Sequence, residues 1–273
     1  MDNLTKQSLV EKHIISPEFA SSKDENCAIL INDEENICIM INEEDHLRMQ
    51  LFGEGIAIEE LMNLAIEIDQ KLERLVDYAF SEKYGYLTAC PTNVGTGLRV
   101  SVMVHLPGLA ETGNLNKILH IVNNFGMSVR GVYGEGSQSM GNMYQISNNQ
   151  TLGLTEQEIV KNMKLITDKI IEQERVARKY LGKNQIGLAD KVYRAFGILE
   201  NARILSSNEC IDLLSDVKLG TDMGIISELD DTKIKKLFLY TKPANLQKYY
   251  GKVMYSNERD LKRTDIIRKI VTE

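Results

Sequence analysis

The feature that most constrains this chain is a change of texture at Asn149. Before it, apolar residues fall in short runs interrupted by glycine; after it, they recur every three or four positions almost to the end. Short apolar runs bounded by polar turns predict strands, and the longer period predicts helices. Residues 27–31 (CAILI) and 37–41 (ICIMI) flank the polar stretch NDEEN and read as a hairpin, with a third strand over 47–52. Gly53 and Gly55 then break the chain. Ile58, Leu61, Ala65, Ile68, Leu72 and Leu75 predict an amphipathic helix over 57–80. Further strands are expected over 86–89, 98–106, 127–133 and 143–147, and a helix over 115–125. Few βαβ alternations appear, which favours α+β with a mostly antiparallel sheet flanked by helices. Beyond Asn149, Thr155 with Glu158 forms a capping-box pattern that opens a helix expected to run to Leu181, with Gly182 as its stop, and Ser206 with Glu209 opens another. The chain therefore divides into 1–180, carrying the sheet, and a helical region over 181–273.

Composition narrows the function classes. A net charge of −7 argues against a general nucleic-acid binder. The four cysteines, Cys27, Cys38, Cys90 and Cys210, form no CxxC pair and no Cys/His cluster with zinc spacing, so no metal site is expected and a reducing compartment is implied. No apolar run is long enough for a membrane span, and residues 1–13 lack the apolar stretch of a signal peptide. The protein reads as cytoplasmic.

Three segments carry the chemistry. Asn42–Arg48 (NEEDHLR) packs three acids, a histidine and an arginine into seven positions at a strand end. Cys90–Arg99 (CPTNVGTGLR) is a tight glycine-containing loop whose backbone N–H groups could suit an anion, although it is no Walker loop. Arg130–Ser137 (RGVYGEGS) sets Arg130 in a strand and Glu135 in the loop after it; an arginine there needs an anionic partner. Taken singly, each is also consistent with a structural turn or ion pair. Together, three arginines, two glutamates and a cysteine match what triphosphate transfer requires. Arginines clamp phosphate oxygens and offset developing charge, and carboxylates hold a cationic acceptor and take its proton.

These segments resemble the signature segments of the phosphagen (guanidino) kinases, CPTN with GTGLR most specifically, and EKHIISP around His13 extends the match. The RGxxGE form and the helical end, with NERDLKRTDIIR, resemble the bacterial protein-arginine kinase branch. The resemblance implies transfer of the ATP γ-phosphoryl to arginine side chains of proteins. It implies that Arg48, Arg99 and Arg130 contact the phosphates, that Val100, Ser101, Val102 and Met103 and the stretch Gly131, Val132, Tyr133, Gly134 and Glu135 line the site, and that His13 lies near the base or ribose. Glu44 and Glu135 would grip the acceptor guanidinium, with Cys90 beside it as a thiolate. Mg2+ would be held mainly by the nucleotide phosphates. Arg259, Asp260 and Arg263, in RDLKRT, correspond to a phosphoarginine-sensing pocket. Implied partners are protein substrates with exposed arginines, a zinc-binding activator protein, a Clp ATPase and a second copy in a homodimer. Targets would be marked for Clp-type proteolysis in the stress response. The family also carries an upstream SSRIRLARN-like segment that this sequence does not contain, so the chain reads as N-terminally incomplete. The alternative is a non-catalytic phosphoarginine-binding regulator.

Overall fold

The computed structural model describes residues 1–132 and 139–272. The chain opens with α1 (Asn3–Glu11), capped by Asp2, whose carboxylate accepts from the Thr5 N–H at 2.9 Å, and α2 (Pro17–Ser21), capped by Ser16. The sequence reading gave this polar stretch no helix, because its apolar residues are too few to show a period. Next come β1 (Ala28–Ile31), β2 (Ile37–Ile41) and β3 (Leu47–Leu51), an antiparallel meander in which Cys38 and Met40 point to one face. Leu9, Ile14, Ile15 and Phe19 close over those two side chains and form a small core.

The expected long helix is α3 (Ile58–Glu73), shorter than its apolar period suggested. The chain leaves it to form a two-stranded ribbon, β4 (Phe80–Ser81) with β5 (Gly85–Tyr86), where the Phe80 and Tyr86 rings meet edge-on at 5.3 Å. After a 3-10 turn at Pro91–Asn93 come β6 (Ser101–His105), α4 (Pro107–Glu111), α5 (Leu115–Asn124), β7 (Met127–Gly131) and β8 (Met143–Asn148). The second meander is antiparallel in the order β6-β8-β7. The short α4 was hidden because Pro107 read as a strand stop. Proline suits the first helical position, and the Glu174 carboxylate accepts from the Gly108 and Leu109 N–H groups at 2.8 and 2.9 Å.

The remaining elements are helical: α6 (Glu156–Leu181), α7 (Gln185–Asn201), α8 (Ser207–Asp222), α9 (Asp231–Tyr240), α10 (Pro243–Tyr250) and α11 (Ser256–Thr272). The Thr155/Glu158 capping box at the start of α6 is complete in both directions. Val160, Met163, Ile166 and Ile170 of α6 pack under the second meander against Val104, Tyr144 and Ile146. Helices α7 to α11 share a separate core around Val192, Leu199, Leu214, Leu237 and Ile267. The two bodies meet through polar contacts: Arg178 of α6 binds Asp222 of α8 at 2.8 Å, and His105 Nε2 meets Ser215 Oγ of α8 at 2.8 Å. Among the described residues all strand pairing is antiparallel, as expected, but it is divided among three sheets. Among the described strands β3 pairs only with β2 and β6 only with β8, and both strands border one open cleft.

Candidate active site

The cleft, about 2720 Å³, is larger than the usual small-molecule pocket. His13, Glu43, Glu44, Asp45, Arg48, Cys90, Arg99 and Arg130 all line it, although they come from four segments far apart in sequence. Register explains the second meander's share. Met103, Gln145 and Arg130 form one cross-strand row, and Ser101, Ser147 and Ser128 the next-but-one, so these side chains share the face opposite buried Ile146. Ser101 and Met103 thus face the cleft, and Val100 and Val102 also border it while packing partly against the core. Val132 lines the cleft and Gly131 ends β7; Tyr133, Gly134 and Glu135 lie outside the described residues.

Electrostatics ties the arginines together. Burial, then Arg130 and Arg48, push Arg99 down from its ordinary value, opposed by Cys90 and Glu44. Three guanidiniums, a thiol and a carboxylate therefore lie within reach of one another. Among the described residues neither Arg99 nor Arg130 has a carboxylate ion pair, and Arg130 is exposed opposite Gln145. Guanidiniums brought together without direct ion pairs, as Arg99 and Arg130 are, suit an anionic ligand with several oxygens.

Two acids overlooked in the sequence build the frame around Glu44. The Glu43 side chain, only 5% exposed, accepts from Ser16 Oγ, from the Glu44 N–H at 2.9 Å and from Arg48 at 3.0 and 3.2 Å. Burial alone would raise its pKa, but these donors and the Arg48 charge hold Glu43 below the ordinary glutamate value. Asp45 accepts from the Ala89 N–H at 2.6 Å, which joins the β2–β3 turn to the residue before Cys90. Glu43 and Asp45 are structural, and Glu44 between them is exposed to the cleft. Sequence alone could not sort three adjacent acids, since their difference lies in partners 27 and 44 positions away.

The Cys90–Arg99 loop differs from the expected anion cradle. The N–H groups of Asn93, Gly95, Thr96 and Leu98 are spent on Cys90 O, Tyr86 O, Thr151 O and Thr96 Oγ1. Thr151 clamps the loop from the far side, its hydroxyl reaching Thr92 O and Val94 O at 2.8 Å each. Gly95, at φ 114°, is required there, because a Cβ would stand 2.3 Å from Thr151 O. The loop is a rigid mount for Cys90 and Arg99, and the side chains carry the charge. Cys90 Sγ lies 3.0 Å from Thr92 Oγ1.

His13 sits after α1 at φ 62°, and burial with the nearby Lys242 charge pushes its imidazole down to about 4. It is therefore neutral at physiological pH. Lys242 itself is pushed down to about 8 by burial. Among the described residues no cluster of three His, Cys, Asp or Glu side chains is placed to hold a metal, and no helix is long and apolar enough to cross a membrane.

The Arg259/Asp260/Arg263 group requires a correction. Arg263 is 1% exposed: its Nε donates to Thr241 O at 2.8 Å and its Nη1 to Leu205 O and to Asp260 at 2.6 Å. Through these bonds it fastens α11 to the starts of α8 and α10, buried where the sequence reading expected an accessible phosphate contact. Arg259 reaches Met254 O at 2.9 Å and, with Asp260, stays partly exposed.

Comparison with known proteins gives these features a lineage. Residues 1–177 match the family of the ATP:guanido phosphotransferase C-terminal catalytic domain, and residues 185–273 match the protein-arginine kinase McsB C-terminal domain. A protein-arginine kinase of Halothermothrix orenii is 52% identical, with 98% of this chain and 78% of the relative covered. One from Bacillus pumilus is 50% identical, covering 97% and 73%. Among solved structures, the duplicated taurocyamine kinase of Schistosoma mansoni with bound transition-state analogue components aligns at TM-score 0.57 and 25% identity, over 86% of this chain and 32% of that one. A lombricine kinase aligns at 0.51 and 30% identity, over 64% and 51%. With both family models matched and half of its residues shared along nearly its whole length, the chain belongs to the protein-arginine kinases of the ATP:guanido phosphotransferase family.

Proposed function

We propose that this chain moves the γ-phosphoryl of ATP onto arginine side chains of other proteins in the cleft between the two meanders. The observation that carries this reading is the meeting of Arg48, Arg99 and Arg130 with Glu44 and Cys90 in one cleft, Arg99 and Arg130 having no carboxylate ion pair among the described residues. In this reading the three guanidiniums hold the phosphates and offset charge as the bond from the γ-phosphorus to the β,γ-bridging oxygen lengthens. Mg2+ carried by the phosphates supplies further charge neutralisation.

A guanidinium attacks poorly because its proton is held with a constant of about 12 or higher. Glu44 and Glu135 orient the acceptor nitrogen in line with the γ-phosphorus, and a carboxylate takes the proton it loses. Cys90, which lines the same cleft, would help hold that orientation. A P–N bond forms, the P–O bond breaks, and its electron pair leaves on ADP. Neutral His13 borders the base or ribose. Stress-related proteins destined for a Clp ATPase, and a zinc-binding activator, are the partners this reading implies.

The test is incubation of the full chain with Mg-ATP and an arginine-rich protein, followed by assay for acid-labile, nitrogen-linked phosphate. Its appearance on arginine is expected. ATP-dependent labelling confined to serine, threonine or tyrosine, or none at any enzyme concentration, would contradict the reading.

A further inference from the structure

Residues 185–273 do more than follow the catalytic body; they hold the first helix against the cleft. Helix α1 lies on α10, and a single carboxylate organises the contact. Glu11 Oε1 accepts from the Ala244 N–H at 2.7 Å, and Oε2 from the Asn245 N–H at 2.8 Å and the Asn245 Nδ2 at 2.9 Å. These are the first-turn donors of α10, which Lys242, at the cap position, leaves without a side-chain acceptor. Glu11 thus caps a helix that begins 232 residues later in the chain. Lys242 returns the contact, its Nζ donating to Glu11 O at 2.6 Å, and Ser8 Oγ meets buried Asn245 Oδ1 at 2.7 Å.

His13 follows two residues after Glu11. Its left-handed backbone is set by the turn that ends α1, with the His13 N–H on Val10 O and the Ile14 N–H on Leu9 O, both at 2.9 Å. Glu11, His13, Lys242 and Pro243 all line the same cleft as the arginines. We infer that Glu11 is a positioning residue for nucleotide binding, acting by seating α1 and His13 on the N-terminus of α10, so that the C-terminal helical region completes the nucleotide side of the site. This rests on the proposed placement of ATP in the cleft.

The consequence is selective. Loss of the clamp moves His13 and leaves the mount of Cys90 and Arg99, which is fastened by Thr151, in place. The experiment uses the full chain with Glu11→Ala, Glu11→Gln and Lys242→Met. It measures Kd for a fluorescent ATP analogue, KM for ATP and for a protein acceptor, and Tm. Glu11→Ala is expected to weaken nucleotide binding and raise KM for ATP by about tenfold, the size of one hydrogen bond to a charged group. KM for the acceptor stays within about twofold, and Glu11→Gln, which keeps one acceptor oxygen, falls between. Lys242→Met shows the same one-sided effect and keeps the result readable if Glu11→Ala folds poorly. Unchanged nucleotide affinity in variants with lowered Tm, or an equal rise in both KM values, would overturn the inference alone. Absence of nucleotide binding by the unsubstituted chain would overturn it together with the site reading.

Discussion

Arg99 and Arg263 are the same residue type, each in a motif that suggested phosphate binding, and the fold uses them in opposite ways. Arg99 stands in the cleft with Arg48 and Arg130 as neighbours and no carboxylate ion pair among the described residues. Arg263 is buried, with two carbonyls and Asp260 satisfying its guanidinium. A charge that the chain itself neutralises is structural, and one that it gathers without neutralising is available to a ligand. Motif spacing reads the two alike, because it reports chemistry and says nothing of burial.

The largest effect expected from breaking this contrast is at Arg263. Arg263→Ala leaves Asp260 and two buried carbonyls without their donor and should cost about 4 kcal/mol, lowering Tm by roughly 10 °C. Arg263→Lys should rescue little, since one ammonium cannot reproduce the fork that reaches Thr241, Leu205 and Asp260 together; calorimetry of both variants checks this. Next is Gly95→Ala, which places a Cβ against Thr151 O at a backbone angle L-residues avoid. A loss of about 2 kcal/mol is expected, with phosphoryl transfer falling further than stability because Cys90 and Arg99 share the displaced loop.

The smallest effect concerns Glu43. Because its constant lies below the ordinary glutamate value of 4.5, its contribution is fully present above that pH and is lost as pH falls through the lowered folded value. Glu43→Gln should therefore lower stability by about 1 kcal/mol at neutral pH, and the difference from the parent should vanish in acid, below the folded value. A difference that grows on acidification would reverse the assigned sign. Denaturant titrations across that pH range read it directly.

Much of the fold was legible. The CAILI and ICIMI runs marked their hairpin because β-branched residues flank a polar turn, and Thr155 with Glu158 marked the start of α6 because a capping box is purely local. What escaped depended on distant partners. Helix α1 has too weak an apolar period to be seen without α10 beneath it, and α4 takes its capping acceptor from Glu174, 66 residues on. Helix α3 ends at Glu73, although the apolar period continues to Leu75. In the site, residue types singled out Arg48, Cys90, Arg99 and the Glu44 turn, and the structure draws them into one cleft. Sequence could not separate Glu44 from Glu43 and Asp45, nor foresee that four N–H groups of the glycine loop go to Tyr86, Thr151 and the loop's own oxygens.

The central claim, that the cleft arginines act on the transferred phosphoryl group and not on the fold, is tested most directly by measuring the rate of phosphoarginine formation and Tm together for Arg99→Ala. The account predicts a rate lower by about two orders of magnitude with Tm within about 2 °C of the parent. An unchanged rate, or a loss of rate matched by a fall in Tm as large as that of Arg263→Ala, would contradict it.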